Sequence, residues 1–120
     1  MSAFNYVDVE IVCPACSRQA KATFQLHLAA SFGGDDRGQF CHLNYKVGDI
    51  LRWWDPAHPR YKPWFTEDGI AFGEGFAECC FGDCSNCKTD LYAIVVVKDL
   101  CIDSIAEIGL ERDWPADFPM

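Results

Sequence analysis

Tyr6-Val7-Asp8-Val9-Glu10-Ile11-Val12-Cys13-Pro14-Ala15-Cys16 decides how this chain is read. Val7, Val9 and Ile11 alternate with Asp8 and Glu10, so one face is apolar and the other acidic, which is the period of a half-buried strand. The alternation resumes at Ala20, with Ala22, Phe24, Leu26 and Leu28 set against Lys21, Thr23, Gln25 and His27. Two strands joined by a short Cys-rich turn make a hairpin with a CxxC at its tip.

A second CxxC, Cys84-Ser85-Asn86-Cys87, stands between two further strand patterns. Before it, Ile70 to Cys80 reads as a strand loosened by Gly73 and Gly75. After it, Leu91 to Lys98 is β-branched and nearly continuous, as in a strand covered on both faces. Each CxxC sets two sulfurs on one tight turn, able to reach a single ion at about 2.3 Å. The pairs Cys13, Cys16 and Cys84, Cys87 therefore predict a four-thiolate site holding one structural Zn2+ per chain. Cys80 competes as a substitute ligand, because Cys80, Cys84 and Cys87 also form a three-thiol cluster in sequence. Cys79, Cys80 and Cys101 otherwise read as small hydrophobes at strand positions.

Between the knuckles, residues 29–75 form a long insertion expected to have structure of its own. Phe40–Lys46 reads as a short strand, Val47-Gly48-Asp49 as a turn and Ile50–Trp54 as another strand. Residues 101–108 are ambiguous: Ile102, Ile105 and Ile108 are spaced as on a helix, yet a strand paired with Leu91–Lys98 needs no linker. We read a strand there. The fold class is mainly β, with zinc-ribbon-like hairpins, at most one short helix, and a single domain over residues 1–120.

The net charge is −8 over 120 residues, and residues 63–120 carry twelve acids against Lys88, Lys98 and Arg112. Four thiolates with one Zn2+ move the folded protein to about −10. A phosphate backbone is repelled by such a surface, so nucleic acid is not the expected partner. The longest apolar run, Leu91 to Val97, is far short of the ~20 residues that cross a bilayer. Eight cysteines behind an N-terminus with no secretion pattern place the chain in a reducing, cytoplasmic compartment.

A four-thiolate zinc has no open coordination position for catalysis. His27, His42 and His58 stand alone, and no phosphate loop or nucleophile elbow occurs. We therefore expect no enzyme. Arg52-Trp53-Trp54 and Arg60-Tyr61-Lys62-Pro63-Trp64-Phe65 interleave aromatics with bases, in the manner of protein-interface anchors. Trp53 and Trp64, with the acids Glu107, Glu111 and Asp113, are the candidate partner-binding residues.

The order strand, Cys-Pro-Ala-Cys, strand, long insertion, then Glu78 to Cys87 and Leu91 to Asp99, resembles bacterial double-CxxC zinc-ribbon proteins. Some of these are immunity proteins of polymorphic (Rhs-type) toxins. The resemblance covers the knuckles and their flanking strands, about half of the chain. It implies a metal role for Cys13, Cys16, Cys84 and Cys87, and direct inhibition of a basic toxin domain as the function. The family has glycine after the second cysteine of a knuckle, whereas this chain has Ser17 and Lys88. A zinc-ribbon adaptor or nucleic-acid-binding module is the alternative. A thiol oxidoreductase is a further one, although neither CxxC opens the helix that would activate a thiol.

Overall fold

The computed structural model describes residues 4–27, 42–52, 54–55, 57–59 and 75–118. Six strands appear in them: β1 Asn5–Val12, β2 Gln19–Leu26, β3 Asn44–Tyr45, β4 Phe76–Cys84, β5 Asp90–Lys98 and β6 Cys101–Leu110. One 3-10 turn, Glu111–Asp113, follows β6. The strands form one sheet in the order β3-β1-β2-β4-β5-β6, antiparallel throughout except for the parallel β1–β3 pair. No helix among the described residues is long and apolar enough to cross a membrane.

The alternation read in the sequence becomes the core. Val7 and Ile11 of β1, Phe24 and Leu26 of β2, and Leu91, Ala93, Val95 and Val97 of β5 are buried on one face. Their neighbours Glu10 and Gln19 point to solvent. The sheet curls around this core, because β6 is tied back toward β3. Gly48 donates its N–H to the Ile102 carbonyl (2.7 Å), Ile102 donates to Asp49 (2.9 Å) and Leu51 to Leu100 (2.6 Å). Leu51 is thereby buried. Of the strand expected at residues 50–54, the described residues show an isolated bridge from Ile50 to Cys101, and Trp53 lies outside them. A Lys46–Asp49 turn precedes it.

β4 corrects a second expectation. It does not end at Cys80 but runs on to Cys84, so that Cys79 and Cys80 lie mid-strand and both are buried. Of the long insertion, residues 42–52, 54–55, 57–59 and 75 are described, and they include β3. Trp53, Trp64 and residues 70–74 of the strand expected from Ile70 lie outside the described residues.

The seam between the hairpins is short. β2 and β4 are registered at only three pairs, Ala22 with Cys84, Thr23 with Asp83 and Phe24 with Gly82. Gly82 permits this approach, since a Cβ there would collide with the Thr23 carbonyl and the Phe24 ring. Further from the knuckles the seam is bridged by side chains. Glu78 Oε2 accepts from the His27 backbone N–H at 2.8 Å and lies 2.9 Å from its Nδ1.

Candidate metal centre

β1 and β4 run in the same direction, so both CxxC turns emerge at the same end of the sheet. The turns repeat one hydrogen-bond pattern. Ser17 N–H bonds the Cys13 carbonyl (2.8 Å) as Lys88 N–H bonds that of Cys84 (2.9 Å). Cys13 N–H bonds the Arg18 carbonyl (2.9 Å) as Cys84 N–H bonds that of Thr89 (3.1 Å). The amides of Ala15 and Asn86 point back at Cys13 Sγ (3.3 Å) and Cys84 Sγ (3.4 Å). Such amides stabilise charge on the first sulfur of each turn.

Ser17 and Lys88 close the turns with φ of 60° and 63°. This left-handed conformation suits glycine and costs an L-residue about 1–2 kcal/mol. Glycine would take this geometry without strain, and Ser17 and Lys88 adopt it against their preference.

The sulfur atoms of Cys13, Cys16, Cys84 and Cys87 all lie within 4.8 Å of one another. Cys13 Sγ and Cys87 Sγ, one from each turn, are 3.8 Å apart, much too far for a disulfide. Four sulfurs placed tetrahedrally at about 2.3 Å from zinc are about 3.8 Å apart along each edge. The donor set and its spacing fit a four-coordinate ion. Cys80 is not part of the group: its sulfur lies buried against the Glu78 carbonyl and carboxylate, both at 3.6 Å.

The four sulfurs form an inner and an outer pair. Cys13 and Cys84 are buried, whereas Cys16 and Cys87 are partly exposed. Burial pushes the Cys13 thiol up to about 11. The outer thiols are lowered: Cys16 by the Asn86 side-chain amide, Cys87 to about 6 by the Thr89 hydroxyl and backbone. Asn86 Nδ2 donates across to Cys16 Sγ at 3.5 Å, and Thr89 Oγ1 lies 3.2 Å from Cys87 Sγ. The outer sulfurs are thus held more acidic than the buried Cys13, and binding of a cation displaces thiol protons.

Asn86 and Thr89, which support the outer sulfurs, are residues that the sequence reading missed. Their signal was faint: a polar residue within the second CxxC and another just after it, where the first turn has Ala15 and Arg18. Of the acids singled out as partner contacts, Glu107 accepts a hydrogen bond from Tyr92 O–H at 2.7 Å, which pushes the phenol up to about 12. Glu111 and Asp113 lie in the 3-10 turn. Cys101 is partly buried beside the Gly48 carbonyl, and His42 packs edge-on against Phe4, with neither in the sulfur group.

No protein-family model, no curated protein and no solved structure matches this chain. What the site can do is read from its own donors. A tetrahedral ion held by all four sulfurs would have no open position, and it would tie the tips of two hairpins together beside a seam of three residue pairs.

Proposed function

We propose that the chain is a zinc-stabilised binding protein. One structural Zn2+ on Cys13, Cys16, Cys84 and Cys87 holds the hairpins together, and the folded molecule acts by binding and inhibiting a basic protein partner. An antibacterial toxin domain neutralised by its immunity protein is the partner type this reading favours. The observation that carries the metal half is the convergence of four sulfurs from two distant turns at the edge length of a tetrahedral site. Zinc is favoured over iron because nothing around the site suggests electron transfer. The partner half is supported by the charge: a −8 chain whose acids concentrate after residue 63 steers a basic partner and speeds association.

Elemental analysis of reduced protein purified without added metal tests the first half, and one zinc per chain is expected. Folded protein with no metal sinks it, and stoichiometric iron changes the ion. Co-expression with the product of the adjoining gene tests the second half. A stoichiometric complex that restores growth is expected. A harmless neighbour, or rescue without a complex, rejects the inhibitory reading in favour of a zinc-ribbon adaptor.

A further inference from the structure

Four sulfurs can pair in more than one way, and their surroundings single out one pair. Cys13 Sγ from the first turn and Cys87 Sγ from the second are 3.8 Å apart. Ala15 directs its amide at Cys13 Sγ (3.3 Å), and Thr89 Oγ1 lies 3.2 Å from Cys87 Sγ. Ala15 and Thr89 both line an open cleft of about 480 Å3 beside the knuckles, with Pro14 and Arg112 among its other residues. Asn86 touches Cys84 Sγ through its amide and Cys16 Sγ through its side chain, and it does not line the cleft. The cleft therefore adjoins the Cys13–Cys87 side of the cluster. Of these two cysteines, Cys87 is partly exposed and Cys13 is buried.

An accessible sulfur with a hydroxyl beside it and a second sulfur behind it has the parts of a peroxide-sensitive dithiol. We propose that Cys87 is an oxidation site for hydroperoxides, and that Cys13 resolves it to a disulfide joining the two knuckles. In the zinc-loaded protein both sulfurs are thiolates, because a coordinating thiol is deprotonated. Cys87 Sγ attacks one oxygen of hydrogen peroxide. The S–O bond forms, the O–O bond breaks, and the second oxygen leaves as hydroxide. The Thr89 hydroxyl is placed to hydrogen-bond that leaving oxygen, which takes its proton from water. Cys13 then attacks the Cys87 sulfenic acid at sulfur, so that the S–S bond forms, the S–O bond breaks and a second hydroxide departs. Two thiolates have lost two electrons, and one hydrogen peroxide has become two hydroxides. The sulfurs must close by about 1.8 Å to reach disulfide length.

The consequence differs from ordinary oxidative loss of a metal. An ion left with Cys16 and Cys84 alone has lost half of its tetrahedral ligand set and is released. Yet the new bond joins residues 74 apart in sequence, one on each hairpin, so the tips stay tied after the ion has gone. Disulfides within each CxxC would release the ion and leave the hairpins separate. This step rests on the zinc reading above, and it assigns that site a redox response.

The test treats the purified, reduced protein with hydrogen peroxide and reads zinc release, cysteine linkage and folding together. Zinc content before oxidant is measured first. Trypsin cuts after Arg18, Arg60 and Lys88, while Pro63 protects Lys62, so Cys13 and Cys16 fall in residues 1–18 and Cys87 in residues 61–88. Peroxide should release the one zinc per chain and link these two peptides. Fragment masses should place the bond at Cys13 and Cys87, with Cys16 and Cys84 still open to alkylation. Thermal unfolding of the oxidised, zinc-free protein should stay cooperative, whereas chelation of the reduced protein should abolish the transition. Thiol reductant with added zinc should restore the starting state. Unlinked peptides with a disulfide inside each CxxC overturn the proposal, as does a link through Cys16 or Cys84. Zinc retained under excess peroxide, or Cys87 oxidised to sulfinic acid without a link, overturns it too. A Cys13–Cys87 link in protein that held no zinc beforehand supports the pair and removes the zinc reading. Neither zinc nor link rejects both.

Discussion

The two knuckles have one backbone and different surroundings. The first, Cys13-Pro14-Ala15-Cys16, contributes sulfurs and a main-chain amide, with nothing polar in its tip side chains. The second is built into the sheet. Ser85 N–H bonds the Lys21 carbonyl of β2 at 2.9 Å, Asn86 reaches across to Cys16, and Thr89 supports Cys87. The second knuckle is thus pre-organised by the sheet, and on the proposed zinc reading the first would be fastened mainly through the ion. Equivalent cysteines should matter equally, and their neighbours should not.

The largest expected effect breaks both knuckles alike. Removing the metal with a chelator, or substituting Cys13→Ser or Cys84→Ser, should abolish cooperative folding, a loss on the order of several kcal/mol. Thermal unfolding followed by circular dichroism reads it. Cys80→Ser is the control: its buried sulfur lies outside the group, so zinc stoichiometry should be retained even as stability falls. A second test addresses the seam beneath the knuckles. Gly82→Ala should cost about 1–3 kcal/mol in denaturant unfolding, because its methyl meets the Thr23 carbonyl and the Phe24 ring.

The asymmetry itself is tested by the supporting side chains. Asn86→Ala and Thr89→Val should each lower zinc affinity about tenfold in competition with a chromogenic chelator, as loss of groups that hold ligands commonly does. Ala15→Ser, at the matching place in the first knuckle, should leave affinity unchanged. Equal effects would erase the distinction between the two turns.

A smaller test restores symmetry from the other side. Ser17→Gly and Lys88→Gly should each raise stability by about 1 kcal/mol, since glycine adopts φ near +60° without steric cost. The smallest concerns the far end of the seam, where His27 meets Glu78. The hydrogen bond to Glu78 raises the imidazole above its ordinary value near 6.5. A raised folded value means that the contribution is complete below the unfolded value and is lost as pH rises through the folded one. The stability gap between the native protein and Glu78→Gln should therefore be wider at about pH 6 than at about pH 8. The ring is half exposed, so the change should be about a few tenths of a kcal/mol.

How much was legible can be judged strand by strand. β1 and β2 were legible because their apolar residues fall at every second position, and β5 because Leu91 to Val97 is a nearly continuous β-branched apolar run. The sulfur cluster was partly legible because a CxxC brings its own two sulfurs together by local geometry, whatever the chain does between the knuckles. The helical spacing of Ile102, Ile105 and Ile108 shows where local reading fails. In β6, Asp103 and Ala106 are extra residues at the two register shifts, so Ile102, Ile105, Ile108 and Leu110 still meet Val97, Val95, Ala93 and Leu91. A period of two with one residue inserted becomes a spacing of three, and only the partner strand tells this from a helix turn. The exclusion of Cys80 was equally beyond the sequence, because it follows from the register of β4, which directs that sulfur toward Glu78. Among the described residues of the strand expected at residues 50–54, only Ile50 bridges to another strand, at Cys101. Composition and spacing determined the hairpins and their four sulfurs. Which edges meet was decided by how the sheet curls around its core.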